Sequence, residues 1–340
     1  MDEKERFLAV LRRSPVDRPP CICPMQTGTL ELMAASGAFW PEAHADPRVM
    51  ARLASAAHEH GGLESVRVPF EASVDASAFG ALTSDQKLRR RPMILSERVP
   101  RREDFEGMDV PEPRRQGRAP VVLEAIRSLR SRAPNLPVIC GIVSPHMLGF
   151  QLIGDQTALM DMYHDPIFLK AVMLKAKAFA VAYAEAAYEA GADVIAMVDS
   201  FASGDFLTAS EYQEFALPYQ AKVCKEAGKL GIPLVLHICG DTTDILHLMA
   251  QSGANGISID HEVPILRAKA LAKGTAVLGN ISPTTLLLKG GTEEVADYVD
   301  LCIREGVDAV SPGCGLALQT PTRNLQAMAQ ATKRAIAPRG

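Results

Sequence analysis

The sequence predicts an α/β protein, a (β/α)8 TIM barrel with an N-terminal helical extension and an inserted excursion near residues 85–119. Three observations carry that prediction. Eight short apolar segments, near residues 21, 66, 138, 195, 235, 257, 277 and 309, read as strands, and each is followed by a helical pattern. The junctions Glu189-Ala-Gly-Ala-Asp-Val194, Ser252-Gly-Ala-Asn-Gly-Ile257 and Glu305-Gly-Val-Asp-Ala-Val310 each join a helix end, a glycine cap and the next strand. That αβ period is what a parallel sheet requires, and eight such units fit a closed barrel in 340 residues. The runner-up, a doubly wound open sheet, calls for a phosphate loop after the first strand, and no G-x-G-x-x-G stands there. Residues 1–340 are read as one domain.

Residues 2–13 read as a helix with Phe7, Leu8 and Leu11 on its apolar stripe, stopped by Ser14-Pro15 and Asp17-Arg18-Pro19-Pro20. Cys21-Ile-Cys23 is the first strand and ends at Pro24. Its C-x-C pair lacks a second pair to complete a metal set and reads as packing. Helical patterns continue to about residue 60, with Asp46-Pro47 as a start signal, and Ser65–Phe70 is the second strand. Residues 85–119 are charged, rich in Arg and Pro and poorly periodic, with room for a short hairpin. Arg89-Arg90-Arg91 within them reads as a solvated face.

From residue 120 the rhythm is regular. A helix covers about 120–132, a strand Leu136–Ser144, a long helical region about 155–190, and a strand Asp193–Asp199. A helix starts near Ser210 and runs to Gly228, ahead of the strand that holds His237 and Cys239. A helix capped by Asp241 to Thr243 ends at Gly253. The strand Gly256–Asp260, a helix closing at Gly274, the strand Ala276–Asn280, a helix over about 292–305, the strand Asp308–Pro312 and a helix after Thr320-Pro321 complete the chain.

Composition narrows the function. Hydrophobic residues make up 47% and charged residues 22%, values of a globular enzyme with a sizeable core. A net charge of −4 gives no basic footprint for nucleic acid or a membrane surface. Every apolar run is interrupted before it reaches a membrane span, and the charged start, Met-Asp-Glu-Lys-Glu-Arg, is unlike a signal peptide. The expected location is the cytosol. Seven cysteines, an odd number without a repeating framework, are expected as reduced thiols.

In a barrel the chemistry sits at the carboxyl ends of the strands. Those ends hold Arg67, Ser144, Asp199, His237, Cys239, Asp260, Asn280 and Cys314. His237 and Cys239 are two apart on a strand and so share a face. An imidazole and a thiolate in that relation make half of a zinc site, although H-x-C also arises as simple packing. Cys314, between two glycines at the end of another apolar run, is the best supplier of a third ligand. Three ligands of type His, Cys, Cys with an open position fit a catalytic zinc. Asp260 could fill the fourth position, support a ligand, or serve only as a turn or cap carboxylate. Thiolate ligands weaken zinc as an activator of water and favour the binding of a soft thiol, which points to alkyl transfer onto sulfur.

The chain also resembles the uroporphyrinogen decarboxylase superfamily and, within it, the zinc-dependent methylcobamide:coenzyme M methyltransferases. The matching pieces are Pro19-Pro-Cys-Ile-Cys-Pro-Met-Gln-Thr-Gly28, Trp40-Pro-Glu-Ala-His44, Val66-Arg-Val-Pro69 and Asp199 with its loop. Val235-Leu-His-Ile-Cys-Gly240, Gly279-Asn280, Pro312-Gly-Cys-Gly315 and Thr320-Pro321 continue the match over essentially the whole chain. The resemblance implies that His237, Cys239 and Cys314 ligate Zn2+. It implies methyl transfer from a methylated corrinoid (methylcobalamin), carried on a small corrinoid-binding protein, to the thiol of coenzyme M or an analogue. Asp260 stands where relatives carry an acidic Glu. Asp260 and Asp199 are the expected catalytic carboxylates, and Arg67 and Asn280 the expected cofactor-binding residues. Arg67 either holds the acceptor's anionic tail or is a structural arginine.

The resemblance disfavours porphyrin decarboxylation, because Pro24-Met-Gln-Thr-Gly28 lacks the arginine that goes with a many-carboxylate substrate. Two other readings stay open: methylation of the corrinoid protein from a small donor, and a non-catalytic, zinc-stabilised binding protein.

Overall fold

Mostly apolar runs of three to six residues, buried along their whole length, form the parallel strands of this protein. The computed structural model describes residues 1–84, 92–99 and 102–335. The strands are β1 (Val66–Val68), a two-stranded hairpin of β2 (Leu82–Thr83) and β3 (Ile94–Ser96), β4 (Val138–Val143), β5 (Val194–Asp199), β6 (Leu234–Ile238), β7 (Gly256–Ser258), β8 (Ala276–Ile281) and β9 (Ala309–Pro312). All but the hairpin form one curled sheet in the order β1-β4-β5-β6-β7-β8-β9, with every neighbouring pair parallel and helices in the connections. This is the expected (β/α)8 barrel.

The eighth stave is the predicted strand near residue 21, and it is reduced to a single bridge, Cys21 to Val310. Prolines explain the reduction. Pro19, Pro20 and Pro24 have no N–H to give a ladder. The ring still closes. Ile22 N donates to Val310 O at 3.0 Å, Val310 N to Pro20 O at 2.9 Å, and Glu64 N to Cys21 O at 2.7 Å. On the other side a side chain substitutes for a strand. The buried Glu64 carboxylate accepts from Cys21 N at 2.8 Å and from Arg18 and Arg6, and those cations hold its pKa down against the effect of burial.

One end of the barrel is filled with apolar side chains. Ile22, Ile139, Val194, Ala196, Val235, Ala276, Leu278 and Ala309 pack there with Phe7, Val10 and Leu11 of the helix Glu3–Leu11. These residues lie early in their strands, so the N-terminal helix plugs the amino end and leaves the carboxyl end for chemistry. The apolar stripe of the first helix thus covers the end of the barrel that carries no site.

Several boundaries differ from expectation. The region 155–190 is two helices, Asp155–His164 and Pro166–Glu189, divided where Asp165 caps the second, and a further helix Pro145–Ile153 precedes them. The helix expected from Ser210 starts at Ala209. Thr208 is its cap, its hydroxyl accepting from Glu211 N while Glu211 accepts from Thr208 N. Arg89-Arg90-Arg91 lies outside the described residues. Among the described residues no helix is long and apolar enough to cross a membrane.

Candidate metal centre

The register of the sheet places His237. Val235 belongs to the apolar plug, and His237, two residues on, is on the same face of β6 one layer nearer the mouth. It is fully buried. Its Nδ1 donates to Ser258 O and lies equally close, 3.1 Å, to Ser258 Oγ on β7. That bond fixes the tautomer and leaves the Nε2 lone pair free. Nε2 lies 3.3 Å from Cys239 Sγ, and Cys239 Sγ lies 3.5 Å from Cys314 Sγ. The three donor atoms all fall within 4.8 Å of one another.

These residues fit a zinc ion. Sulfur at about 2.3 Å and nitrogen at about 2.0 Å from a tetrahedral centre stand about 3.5–3.8 Å apart, close to the spacing found here. The electrostatics agree. The hydrogen bond from Cys314 lowers the pKa of Cys239, and Cys239 together with burial raises that of Cys314. One sulfur ionises easily and the second resists a like charge beside it. Burial disfavours a charged His237, but the Cys314 sulfur, Asp260 and the Ser258 carbonyl outweigh it and raise its pKa. A divalent cation among these three donors would balance the negative charge that the two sulfurs take on when ionised.

Glycines let the ligand-bearing turns meet. Gly240, directly after Cys239, has φ +75°, and a Cβ there would stand 2.7 Å from Asp205 Oδ2. A Cβ on Gly313 would stand 2.7 Å from His261 N. Asp260 ties two of these turns together. Its Oδ2 accepts from Gly240 N at 3.0 Å, and its Oδ1 from His261 N at 2.6 Å and from His261 Nδ1 at 2.5 Å. It lies outside the three-atom cluster and does not cap the following helix, whose cap position is Pro264.

Asp199 is buried and also lies outside the cluster. It accepts from Ser144 Oγ at 2.5 Å, His146 Nδ1 at 3.1 Å, Gln220 Nε2 at 3.0 Å and Phe201 N at 3.2 Å. Its four donors make it the anchor of the loop after β5. The next residue, Ser200, places Oγ 3.7 Å from Cys239 Sγ. Ser200 also lines a cleft of about 310 Å3 with Met147, Phe201, Gln151 and Met93.

Asn280 is turned away from the mouth. Its amide donates to Val263 O at 2.7 Å, and its oxygen accepts from Tyr298 and Cys302 of the outer helix Thr292–Arg304. These contacts use the amide oxygen and one of the two amide N–H groups. Cys21 and Cys23 are buried packing residues, as expected, and burial pushes both thiols up to about 12.

Arg67 faces the barrel axis, because it pairs with Ile139 of the apolar plug. It is buried, and burial lowers its pKa. Sequence reasoning missed Ser200, Ser258 and His146. Their only signal was position, each within two or three residues of a strand's carboxyl end.

Comparison with known proteins gives a consistent result. The profile of the uroporphyrinogen decarboxylase (URO-D) family matches residues 2–335. The methylcobamide:CoM methyltransferase MtbA of Methanosarcina acetivorans is 39% identical over 334 residues, covering 97% of each chain. The methylcobamide:CoM methyltransferase MtaA of Methanosarcina barkeri is 36% identical over 96% of each. A solved structure described as a methyltransferase from Methanosarcina mazei superposes with TM-score 0.94 at 34% identity, covering 98% of each chain.

Proposed function

Because the chain belongs to the uroporphyrinogen decarboxylase (URO-D) family, with relatives named as methylcobamide:CoM methyltransferases along its whole length, we propose that it is a zinc-dependent methyltransferase. It moves a methyl group from a methylated corrinoid to a thiol such as coenzyme M. The corrinoid is carried by a small partner protein. The observation that carries this reading is the convergence of His237 Nε2, Cys239 Sγ and Cys314 Sγ at the carboxyl end of the barrel.

Zinc held by His237, Cys239 and Cys314 would supply the pull that turns an incoming thiol into a nucleophile at neutral pH. The residues around it act in different ways. Ser258 holds the imidazole so that Nε2 faces the sulfurs. Asp260 holds the Cys239–Gly240 turn through Gly240 N, a positioning role. Asp199 holds the Ser200–Phe201 loop, and Ser200 gives the Cys239 sulfur a hydroxyl neighbour. The acceptor sulfur attacks the methyl carbon, the S–CH3 bond forms, the carbon–cobalt bond breaks, and cobalt keeps the electron pair. Orienting sulfur and methyl in line is the protein's main contribution to rate.

The test combines metal analysis with a methylcobalamin–thiol assay over several thiols. The parent is expected to hold one zinc per chain and to methylate a thiol. Cys239→Ser protein with parental zinc and parental turnover would overturn the reading. Unfolding on treatment with a chelator would instead point to a structural zinc.

A further inference from the structure

The helix Pro166–Glu189 has two apolar faces. Its inner face buries Phe168, Val172, Phe179 and Tyr183, so its outer face is the one expected to be polar. That outer face instead carries Ile167, Leu174, Val181 and Tyr188. Ile167 is 76% exposed, Leu174 51% and Tyr188 42%, and Val181 is half-buried. Ile167 is the most exposed large hydrophobic side chain among the described residues. Single exposed apolar residues are ordinary on a protein surface, but these four form a line. They are spaced by seven, two turns of helix, and the line runs about 32 Å.

The line reads alike from either end. Ile167 and Tyr188 stand equally far from the peptide that joins Lys177 to Ala178, and so do Leu174 and Val181. The charges share that centre with opposite sign, since Lys170 and Glu185 are also equidistant from it. Lys170 Nζ reaches Glu214 Oε1 of its own chain at 2.6 Å, whereas the Glu185 carboxylate makes no hydrogen bond or ion pair with another described residue. Ala171, Ala178 and Ala182 beside the line are small enough to let a second helix approach. Lys177 stands at the edge of the face, where its stem can turn the ammonium to solvent.

We propose that this face pairs with the same face of a second copy of the chain, the two helices antiparallel about a two-fold axis at Lys177–Ala178. Such an isologous contact puts Ile167 against Tyr188 of the second copy and Leu174 against Val181 of the second copy, each twice. It also sets Lys170 beside Glu185 of the second copy, giving that carboxylate the cation its own chain lacks. Matched apolar and charged positions about one centre are what self-pairing requires, and an unrelated partner or a lipid surface does not call for them. One helix face of this length buries less than the about 800 Å2 per partner of a standard interface, so the dimer is a weak one that forms in the micromolar range.

Sedimentation of the full chain over about 1–100 μM tests the pairing. The parent is expected to shift from monomer to dimer across that range. Leu174→Glu is expected to stay monomeric throughout, with unchanged metal content and a melting temperature close to that of the dilute parent, because Leu174 is half in solvent before pairing. Lys170→Glu and Glu185→Lys should each weaken dimerisation about tenfold or more, because like charges then face each other at both ends of the contact. Combining Lys170→Glu with Glu185→Lys should recover most of that loss, which the antiparallel register about Lys177–Ala178 predicts.

A parent that stays monomeric to about 100 μM overturns the proposal. So does a dimer that Leu174→Glu leaves intact, since the contact then lies elsewhere. Charge variants that do not rescue one another overturn the antiparallel register and the two-fold pairing with it. A monomeric parent that binds phosphatidylcholine vesicles, with Leu174→Glu abolishing the binding, assigns the face to a lipid surface and also overturns it.

Discussion

The two ends of this barrel are built from the same strands and are chemically opposite. At the amino end Val235 of β6 and Ile139 of β4 pack on Phe7 and Leu11. Two residues further along the same faces stand His237 and Gly141, the first a candidate ligand and the second a gap filled by Arg67. The amino end is closed by apolar side chains that need no partners. The carboxyl end holds a buried imidazole, guanidinium and carboxylates and two half-buried thiols, whose partners are few and specific. Apolar packing that needs no partners thus fills one end, and polar groups that depend on specific partners gather at the other.

Breaking the carboxyl end should cost function and spare the fold. His237→Ala is expected to lose stoichiometric zinc, and turnover should fall by more than the about 10–100-fold that loss of a ligand's hydrogen-bond partner costs. Its melting temperature should stay near that of the chelated parent. Metal analysis and calorimetry on one sample check both halves.

Breaking the amino end should do the reverse. Phe7→Ala empties a fully buried position in the plug. It is expected to destabilise the protein by about 3–5 kcal/mol in denaturant titration, while zinc per folded chain is unchanged. A loss of zinc at low denaturant would show that the two ends are coupled.

The contrast sharpens further with pH. Burial, aided by the nearby charge of Glu71, raises the pKa of Asp75 from 3.8 to about 7. The folded state then holds a proton that the unfolded chain has released. Stability should fall as pH rises from about 4 to about 7 and level off above that, because the folded state binds more protons in this window. Asp75→Asn should remove this part of the slope, measured as the denaturation midpoint against pH. The smallest expected effect is Ser258→Ala. His237 Nδ1 keeps its bond to the Ser258 carbonyl, so zinc affinity in competition with a chelator should weaken by about tenfold or less.

Much of this was legible in the chain itself. Strand periodicity put His237 and Cys239 on one face, and glycine-bounded strand ends brought Cys314 into the same set. Repeated helix–glycine–strand junctions gave the barrel. Those signals are local: a period of two or a helix cap needs only near neighbours along the sequence. What only the tertiary structure decided is where each polar group found its partner. Asn280 turned outward to Tyr298 and Cys302, Asp260 went to the Gly240 and His261 backbone, and Glu64 replaced a strand ladder beside the prolines. Each of these pairings depends on how the ring closes across tens of residues. A side chain's chemistry is written in the sequence, but whether its charge or hydrogen bond is already answered is set by which distant segment the closed barrel brings against it.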